Sequence, residues 1–314
     1  MNKIIEVKNL VKVYKDGKRA VDDITFDVFE GELFAFLGPN GAGKTTTISI
    51  LTTVLSKTSG IVKICDLDVE RYPDKVRERI GIIFQKPSID KDLTGEENIR
   101  FHSVLWGIIP FSPTYFLTPQ SYKDRLRTLV EIFGLKDSIF KPVNSYSSGM
   151  VRKLEIIRSL MHTPQILFLD EPTVGLDPEI RRNLWNYLDN VRKNSGTTIF
   201  ITTHYLDEVE NADKICIINQ GKIVTLDSPA ELKRKFERKF VTITYQKDIE
   251  NALIQRFKKT NLSWEDLPGN IIRIYYDTFS DINWVFNMDG IIDIDINKPK
   301  LEDVYLKLIN ALEN

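Results

Sequence analysis

Three glycines, a lysine and two threonines lie within nine residues that follow an apolar run at positions 33–37. The nine residues are Gly38, Pro39, Asn40, Gly41, Ala42, Gly43, Lys44, Thr45 and Thr46. We predict that they form a phosphate-binding loop, because glycines let backbone wrap around phosphate oxygens and the following helix presents unpaired N–H groups. Lys44 is expected to reach the β and γ phosphates of a nucleotide, and the Thr45 hydroxyl to hold Mg²⁺. The alternative is a glycine-rich turn without this chemistry, but the flanking strand and helix are the context that a phosphate loop requires.

Two adjacent carboxylates follow another apolar run, at positions 166–169. Asp170 and Glu171 would stand at the carboxyl end of a strand, where open parallel sheets bind their ligands. Side chains alternate along a strand, so we expect the two carboxylates to point in different directions and to have different chemical roles. Asp170 is predicted to hold Mg²⁺ through its water shell, and Glu171 to polarise the attacking water as general base. A strand that ends in Asp-Glu is weak evidence for a hydrolysis site on its own. It becomes strong evidence when it lies downstream of a phosphate loop.

The elements that must position these residues form a mixed α/β pattern. Short alternating runs in residues 1–30 predict antiparallel strands with tight turns, and residues 215–226 predict a hairpin. Buried-looking runs predict a doubly wound parallel sheet, with strands at 34–37, 166–169 and 198–202. Residues 92–163 carry almost no strand pattern and predict a helical subdomain set into the α/β core.

Length and composition narrow the class of protein. A chain of 314 residues with 42% hydrophobic content predicts one large domain, over residues 1–230, and a smaller α+β domain over 231–314. The net charge of −1 gives no reason to invoke nucleic acid as a partner. Cys65 and Cys216 are the only cysteines, and we predict that both are buried thiols in a reducing cytoplasm. With no secretory leader and no apolar run near the roughly 20 residues of a membrane span, the chain is predicted to be soluble.

Taken together, these features resemble the ATP-binding cassette (ABC) nucleotide-binding proteins, and further residues match that family's motifs in order. The resemblance implies that Tyr14 stacks on adenine, that Gln85 touches Mg²⁺ and the attacking water, and that His204 is the switch histidine. It implies a P-loop, RecA-like α/β core with an antiparallel β subdomain, an inserted helical subdomain and a small C-terminal accessory domain. His102 and His162 match no motif and are expected to be structural or solvated.

Residues 146–150, Tyr-Ser-Ser-Gly-Met, match the family's LSGGQ-type signature, and residues 175–178 match its D-loop. The resemblance implies that Ser147, Gly149 and Asp177 contribute to the nucleotide site of a second cassette. One chain carries one copy of each motif, so an active unit requires a homodimer or a paralogue. Ser148 departs from the usual glycine and places a Cβ where backbone must approach phosphate.

Three of these residues have ordinary structural alternatives. Tyr14 could be a strand aromatic in the hydrophobic core, and Gln85 an ordinary polar residue of a loop. Asp177 precedes a proline and could simply cap the next helix.

Two functional classes compete, the energising subunit of a transporter and a soluble ABC ATPase that acts on a macromolecular complex. Residues 93–99, 146–150, 202–210 and 298–306 resemble the exporting branch typified by daunorubicin-resistance ATPases. That resemblance implies ATP hydrolysis at the cytoplasmic face of the membrane, coupled to export of a drug, lipid or other small molecule. The partners would be a second ATPase subunit and separate membrane permease subunits, and nothing in the sequence indicates the cargo.

Two regions lie outside the ATP chemistry. Residues 107–120 hold three prolines and several aromatics and are predicted to be an exposed excursion, either a docking element for the membrane subunit or a surface insertion. Residues 231–314 are predicted to be a regulatory and assembly module. We expect its apolar helix at 301–312 to be covered by its own small sheet, or alternatively by the same module of the second subunit. Basic residues at 233–239 predict a solvated helix face, with a membrane-surface contact as the alternative.

Overall fold

The computed structural model describes residues 2–83, 89–162, 164–203, 205–236, 239–260, 262–297, 300–305 and 308. The chain folds into two compact units, Met1–Asp227 and Ser228–Asn314. The sequence placed the boundary near residue 230. Among the described residues, no helix is both long enough and apolar enough to cross a bilayer.

Two sheets organise the first unit. Its strands are β1 (Lys3–Val13), β2 (Arg19–Phe29), β3 (Leu33–Leu37), β4 (Ser59–Ile64), β5 (Leu67–Asp68), β6 (Ile80–Ile83), β7 (Ile166–Asp170), β8 (Thr198–Thr203), β9 (Lys214–Asn219) and β10 (Lys222–Asp227). An antiparallel sheet has the order β2-β1-β4-β5, and a second sheet has the order β10-β9-β3-β8-β7-β6 with all but β10 parallel. Two of the short alternating runs in the sequence, at residues 4–7 and 11–14, fall largely within the single strand β1, which has a register shift where Asn9 takes a φ of 49°.

Helices flank and interrupt the parallel sheet. They are α1 (Lys44–Leu51), α2 (Pro73–Arg77), α3 (Gly95–Leu105), α4 (Gln120–Ile132), α5 (Ser148–Leu160) and α6 (Pro178–Ser195), with 3-10 turns at Tyr115–Leu117, Val143–Ser145 and Leu206–Val209. The described part of residues 92–163 holds α3, α4 and α5 and no strand beyond an isolated bridge between Thr94 and Pro142. The prediction of an α/β core with an inserted helical subdomain is confirmed.

A cluster of buried phenylalanines packs the core of the first unit. Phe34 of β3 lies 5.4 Å from Phe26 of β2 and 5.3 Å from Phe200 of β8, measured between ring centroids. Each of these residues is at most 4% exposed. Burial of each side chain contributes roughly 1.5–3 kcal/mol to the stability of the folded unit. The packing fixes the parallel strands in register, so that Asp170 lies beside Thr202. The carboxyl ends of β3, β7 and β8 therefore meet at one edge of the sheet.

The second unit is a small α+β fold, as predicted. It contains α7 (Pro229–Phe236), β11 (Lys239–Tyr245), α8 (Glu250–Lys259), β12 (Trp264–Leu267), β13 (Ile271–Tyr276), α9 (Phe279–Ile282) and β14 (Ile291–Asn297). Its antiparallel sheet has the order β12-β13-β11-β14. Leu253 and Phe257 of α8 pack in one core cluster with Val241 and Ile274 of the sheet. Residues 301–305 are helical, while the remaining apolar positions of the predicted terminal helix lie largely outside the described residues.

The two cysteines differ in burial, so one prediction was wrong. Cys216 of β9 is fully buried, and burial raises the pKa of its thiol. Cys65 is only half-buried, because it follows β4 in a turn with a φ of 49°. Its Sγ donates a hydrogen bond to Gln165 Oε1 at 3.1 Å.

Candidate nucleotide and hydrolysis site

The predicted phosphate loop joins the carboxyl end of β3 to the start of α1. A Cβ at Gly38 would lie 2.2 Å from the carbonyl oxygen of Ile218, which no side chain can tolerate. Gly43 has a φ of 110°, and a Cβ there would lie 2.5 Å from the carbonyl oxygen of Ala20. Glycine is therefore required at both positions, because the loop packs closely on neighbouring backbone.

Lys44 is the first residue of α1, and its side chain folds back along the loop. Its Nζ donates hydrogen bonds to the carbonyl oxygens of Gly38 at 2.7 Å and Pro39 at 3.2 Å. The residue is 7% exposed. Burial lowers the pKa of Lys44, and the carboxylates of Glu171 and Asp170 oppose that shift. The loop thus holds a cation at the helix N-terminus, close to the two carboxylates, which suits the binding of terminal phosphates.

Asp170 ends β7 and is 2% exposed. Burial raises the pKa of this carboxyl, while hydrogen bonds from the hydroxyls of Thr202 and Thr45 favour its charged form. A bound cation would relieve the cost of burying this charge. Mg²⁺ at phosphate sites takes one or two protein oxygens and completes its shell with phosphates and waters. The carboxylate of Asp170 and the hydroxyl of Thr45 therefore fit a magnesium site.

Glu171 follows Asp170 in a left-handed conformation, with a φ of 49°. Its backbone N–H donates to the carbonyl oxygen of Thr202 at 3.0 Å and to the hydroxyl of Thr202 at 3.2 Å. Glu171 lines the same cleft as Lys44. From the sequence we expected the alternation of side chains along a strand to point the two carboxylates in different directions. The structure instead ends the strand at Asp170 and turns the chain, so that Glu171 borders the cleft while Asp170 is buried.

The cleft beside the loop has a volume of about 450 Å³. Its lining residues are Tyr14, Lys18, Ala20, Asn40, Gly41, Gly43, Lys44, Thr45, Thr46 and Glu171. Tyr14 is 38% exposed, and its hydroxyl lies 3.2 Å from the Thr46 hydroxyl. The alternative that Tyr14 is a core aromatic is therefore wrong, and its ring borders the cleft. Lys18 and Ala20 were not anticipated as lining residues.

The signature segment forms the exposed N-terminus of α5. Ser147 is the N-cap residue, and its hydroxyl accepts a hydrogen bond from the Met150 N–H at 3.3 Å. Tyr146 anchors the segment, since its hydroxyl donates to the Ser138 carbonyl at 2.6 Å. Ser148 lies exposed in the first helical turn. None of the described residues that line the cleft comes from residues 146–150, so one chain does not bring its own signature to its own phosphate loop.

Asp177 lies at the start of α6 and caps it. Its Oδ1 accepts a hydrogen bond from the Ile180 N–H at 2.9 Å, and its Oδ2 lies 3.7 Å from Lys153 Nζ. The capping alternative is thus present in this chain, and a role in the nucleotide site stays a prediction. The two remaining predicted site residues, Gln85 and His204, lie outside the described residues.

Two residues that the sequence analysis did not single out contact both carboxylate positions. Thr202 is fully buried and bonds the Asp170 carboxylate and the Glu171 backbone. Arg152 of α5 is 5% exposed and donates to the Glu171 carbonyl at 3.0 Å. A threonine at the end of an apolar strand gave one available signal for Thr202. An arginine in an amphipathic helix gave none for Arg152, because the groups that tie it to Glu171 are backbone carbonyls.

Comparisons with known proteins confirm the resemblance. A family model described as ABC transporter matches residues 21–174. The chain is 40% identical to the daunorubicin/doxorubicin resistance ATP-binding protein DrrA of Streptomyces peucetius, over 73% of this chain and 66% of DrrA, just under two thirds of that protein. It is 31% identical to the bacitracin transport ATP-binding protein BcrA of Bacillus licheniformis, over 99% of each chain. A solved structure of the ATP-binding subunit of an ABC transporter has a TM-score of 0.67 and 28% identity, over 74% of this chain and 93% of that one. The chain therefore belongs to the family of ABC transporter ATP-binding proteins.

Proposed function

We propose that this chain binds ATP with Mg²⁺, hydrolyses it, and so energises export of a small molecule through separate membrane subunits. The observation that carries the proposal is the meeting of four residues beside the phosphate loop. Lys44, Thr45 and Glu171 line the cleft, and the buried carboxylate of Asp170 accepts a hydrogen bond from Thr45. A buried lysine, an oxygen set for a divalent cation and a nearby carboxylate are the parts that phosphoryl transfer needs.

Binding would use the loop and the cleft together. The ammonium of Lys44 and the N-terminus of α1 would hold the terminal phosphates, and the half-exposed ring of Tyr14 would stack on adenine. Thr45 and Asp170 would hold Mg²⁺, which neutralises charge on the phosphates when it is bound. Gln85 would join that set, as the family resemblance implies.

Hydrolysis would depend on Glu171. Its carboxylate borders the cleft and would accept a proton from the attacking water as general base. Its backbone is held in a left-handed turn by Thr202, which restricts where the carboxylate can lie. His204 would act beside it as the switch histidine, again by resemblance.

The complete site would need a second cassette. Ser147 and Gly149 lie at an exposed helix N-terminus, a form of backbone that attracts phosphate. They and Asp177 would contact the nucleotide bound by the other subunit. A homodimer is the simplest arrangement, with ATP closing the pair and hydrolysis reopening it.

The assignment to the transporter class is based on similar proteins and not on the geometry of the site. Similar proteins are named for daunorubicin/doxorubicin resistance and for bacitracin transport, which favours export over action on a macromolecular complex. We place the chain in the cytoplasm at the inner face of the membrane, bound to permease subunits and not to nucleic acid.

The test of this function is the substitution Glu171→Gln. Glutamine keeps the size of the side chain but removes its basicity, so ATP binding should persist while turnover falls by roughly 10²–10⁴. Turnover is measured as phosphate release, and binding as the Kd of a fluorescent ATP analogue. The control is Glu179→Gln, which changes a carboxylate in the first turn of α6. Turnover of Glu171→Gln within a few-fold of wild type would place the base elsewhere.

A further inference from the structure

Arg152 joins the signature helix to the backbone around Glu171. Its guanidinium donates to three consecutive carbonyl oxygens: Nη2 to Asp170 at 3.4 Å and Glu171 at 3.0 Å, and Nε to Pro172 at 3.2 Å. Its Nη1 lies 3.0 Å from Glu155 Oε2, one helical turn later. The arginine is 5% exposed. A buried charge with this many partners is fixed in one geometry.

The three carbonyls converge because of the turn at Glu171. Successive carbonyls of an extended strand point to opposite sides, whereas the φ of 49° at Glu171 ends that alternation. A left-handed conformation is unfavourable for a residue with a Cβ and persists only where the surroundings hold it. Thr202 holds the N–H of Glu171, and Arg152 holds its carbonyl.

Only a planar guanidinium makes this set of contacts. Its N–H groups point in fixed directions within one plane, so a single side chain can serve several carbonyls and a carboxylate. A lysine ammonium would keep the charge and the pairing with Glu155, but as a point charge it cannot reproduce the fork. The arrangement therefore depends on the shape of Arg152 as well as on its charge.

We propose that Arg152 is a positioning residue that sets the direction of the Glu171 carboxylate and couples it to the signature end of α5. The inference rests on the proposed role of Glu171 as general base. Ser147, the N-cap of α5, and Arg152 belong to one continuous helix, so a displacement of the signature moves the guanidinium. That displacement reaches Glu171 through its carbonyl. Engagement of the signature by nucleotide on the second subunit would in this way align the base.

The experiment compares two buried arginine–glutamate pairs of the first unit in the full-length chain. Arg152→Lys is measured beside Arg100→Lys, since Arg100 is 3% exposed and also pairs with a buried glutamate of its own helix, Glu96. Arg100 bonds the Ser112 carbonyl rather than the Glu171 turn. The charge-free variants Arg152→Met/Glu155→Gln and Arg100→Met/Glu96→Gln repeat the comparison without leaving a buried carboxylate unpaired.

We expect Arg152→Lys to lower kcat at least tenfold, with the Kd for ATP changed less than threefold, because misplacement of a catalytic group by about 1 Å can cost roughly 10² in rate. Arg100→Lys should keep kcat within about twofold of wild type, and in the Glu171→Gln background Arg152→Lys should lower turnover no further. The inference would be overturned by equal kcat values for Arg152→Lys and Arg100→Lys, or by a change in Arg152→Lys that affects only the Kd for ATP. An additive loss of turnover in the Glu171→Gln background would also overturn it. Unimpaired turnover of Glu171→Gln alone would instead overturn the proposed function.

Discussion

The ammonium of Lys44 lies 2.7 Å from the carbonyl oxygen of Gly38, six residues earlier in the same loop. A second bond, to the Pro39 carbonyl at 3.2 Å, closes the loop on its own lysine. The cation is therefore held by backbone and not by a flexible side-chain partner. The carboxylates of Glu171 and Asp170 both favour its charged form. The backbone of the loop therefore fixes the position of the charge that we propose binds phosphate.

The composite site can be tested by mixing two inactive chains. Lys44→Ala removes the cation of the phosphate loop, and Gly149→Asp adds a negative charge at the exposed start of α5. An acidic residue in a first helical turn suits the helix dipole, so α5 should fold while phosphate is repelled. Each variant alone should lose roughly 10² or more in turnover. Their mixture should recover one intact site per heterodimer, measured as phosphate release.

The control for this mixture is a chain that carries both changes. Mixed with Lys44→Ala, the double variant leaves every phosphate loop without its lysine, and no activity should return. If the first mixture also stays inactive while crosslinking or light scattering shows that the chains pair, the signature does not act across subunits.

Much of the fold and site followed from local pattern, and the failures have physical causes. The loop at 38–46 and the two carboxylates at the carboxyl end of β7 could be predicted, because strand, turn and helix chemistry are local in sequence. Cys65 could not, because its half-burial depends on a left-handed turn after β4. Arg152 was missed since the carbonyls that link it to Glu171 lie in a turn 18 to 20 residues away. The left-handed backbone of Glu171 could not be predicted from the types of the neighbouring residues.

The stability of the folded chain should decrease as the pH is lowered, because of His102. Burial, with lesser effects from Arg158 and His162, lowers the pKa of His102 from 6.5 to about 3, and its ring stacks 5.3 Å from that of Trp106. Between those pH values the unfolded chain binds a proton that the folded chain does not, so the free energy of unfolding decreases as pH falls below 6.5. At pH 5 the loss from this group is about 2 kcal/mol.

His102→Phe tests this assignment, since a phenyl ring keeps the stacking and does not titrate. The Nδ1 of His102 has no hydrogen-bond partner in the part of the chain that the structure describes, so little polar contact is lost there. Chemical denaturation at pH 7.5 and pH 5 should show a smaller decrease in stability for the variant than for wild type. Equal decreases would mean that His102 titrates normally in the folded chain.

The excursion at 107–120 presents aromatics to solvent from an anchored loop. Phe111 is 76% exposed and Phe116 is 83% exposed. The buried Arg100 fixes the loop through the Ser112 carbonyl at 2.7 Å. Rigidly presented aromatics are typical of protein interfaces. The double variant Phe111→Ser/Phe116→Ser should therefore reduce co-purification with the membrane subunit by roughly tenfold, with ATPase activity of the isolated chain unchanged.

The matched control replaces exposed aromatics of the second unit. Phe279 is 58% exposed and Phe286 is 45% exposed, so Phe279→Ser/Phe286→Ser makes the same two side-chain changes at exposed positions, with a smaller loss of apolar surface. That variant should retain the membrane subunit. Equal retention by both double variants would identify the excursion as a surface insertion without a docking role.

Removal of the second unit should separate nucleotide binding from regulation. Every residue proposed to touch ATP or Mg²⁺ precedes Asp227, where the first compact unit ends. The second unit has its own core, built on Val241, Ile274 and Phe257, and the core cluster that includes α1 contains only residues before Asp227. A chain truncated after Asp227 should bind a fluorescent ATP analogue with a Kd within about threefold of the full-length value, a difference below 1 kcal/mol. Its dimerisation, measured by sedimentation, or its ATPase rate should change. Loss of ATP binding in a truncated chain whose circular dichroism and unfolding transition remain cooperative would mean that the second unit completes the nucleotide site.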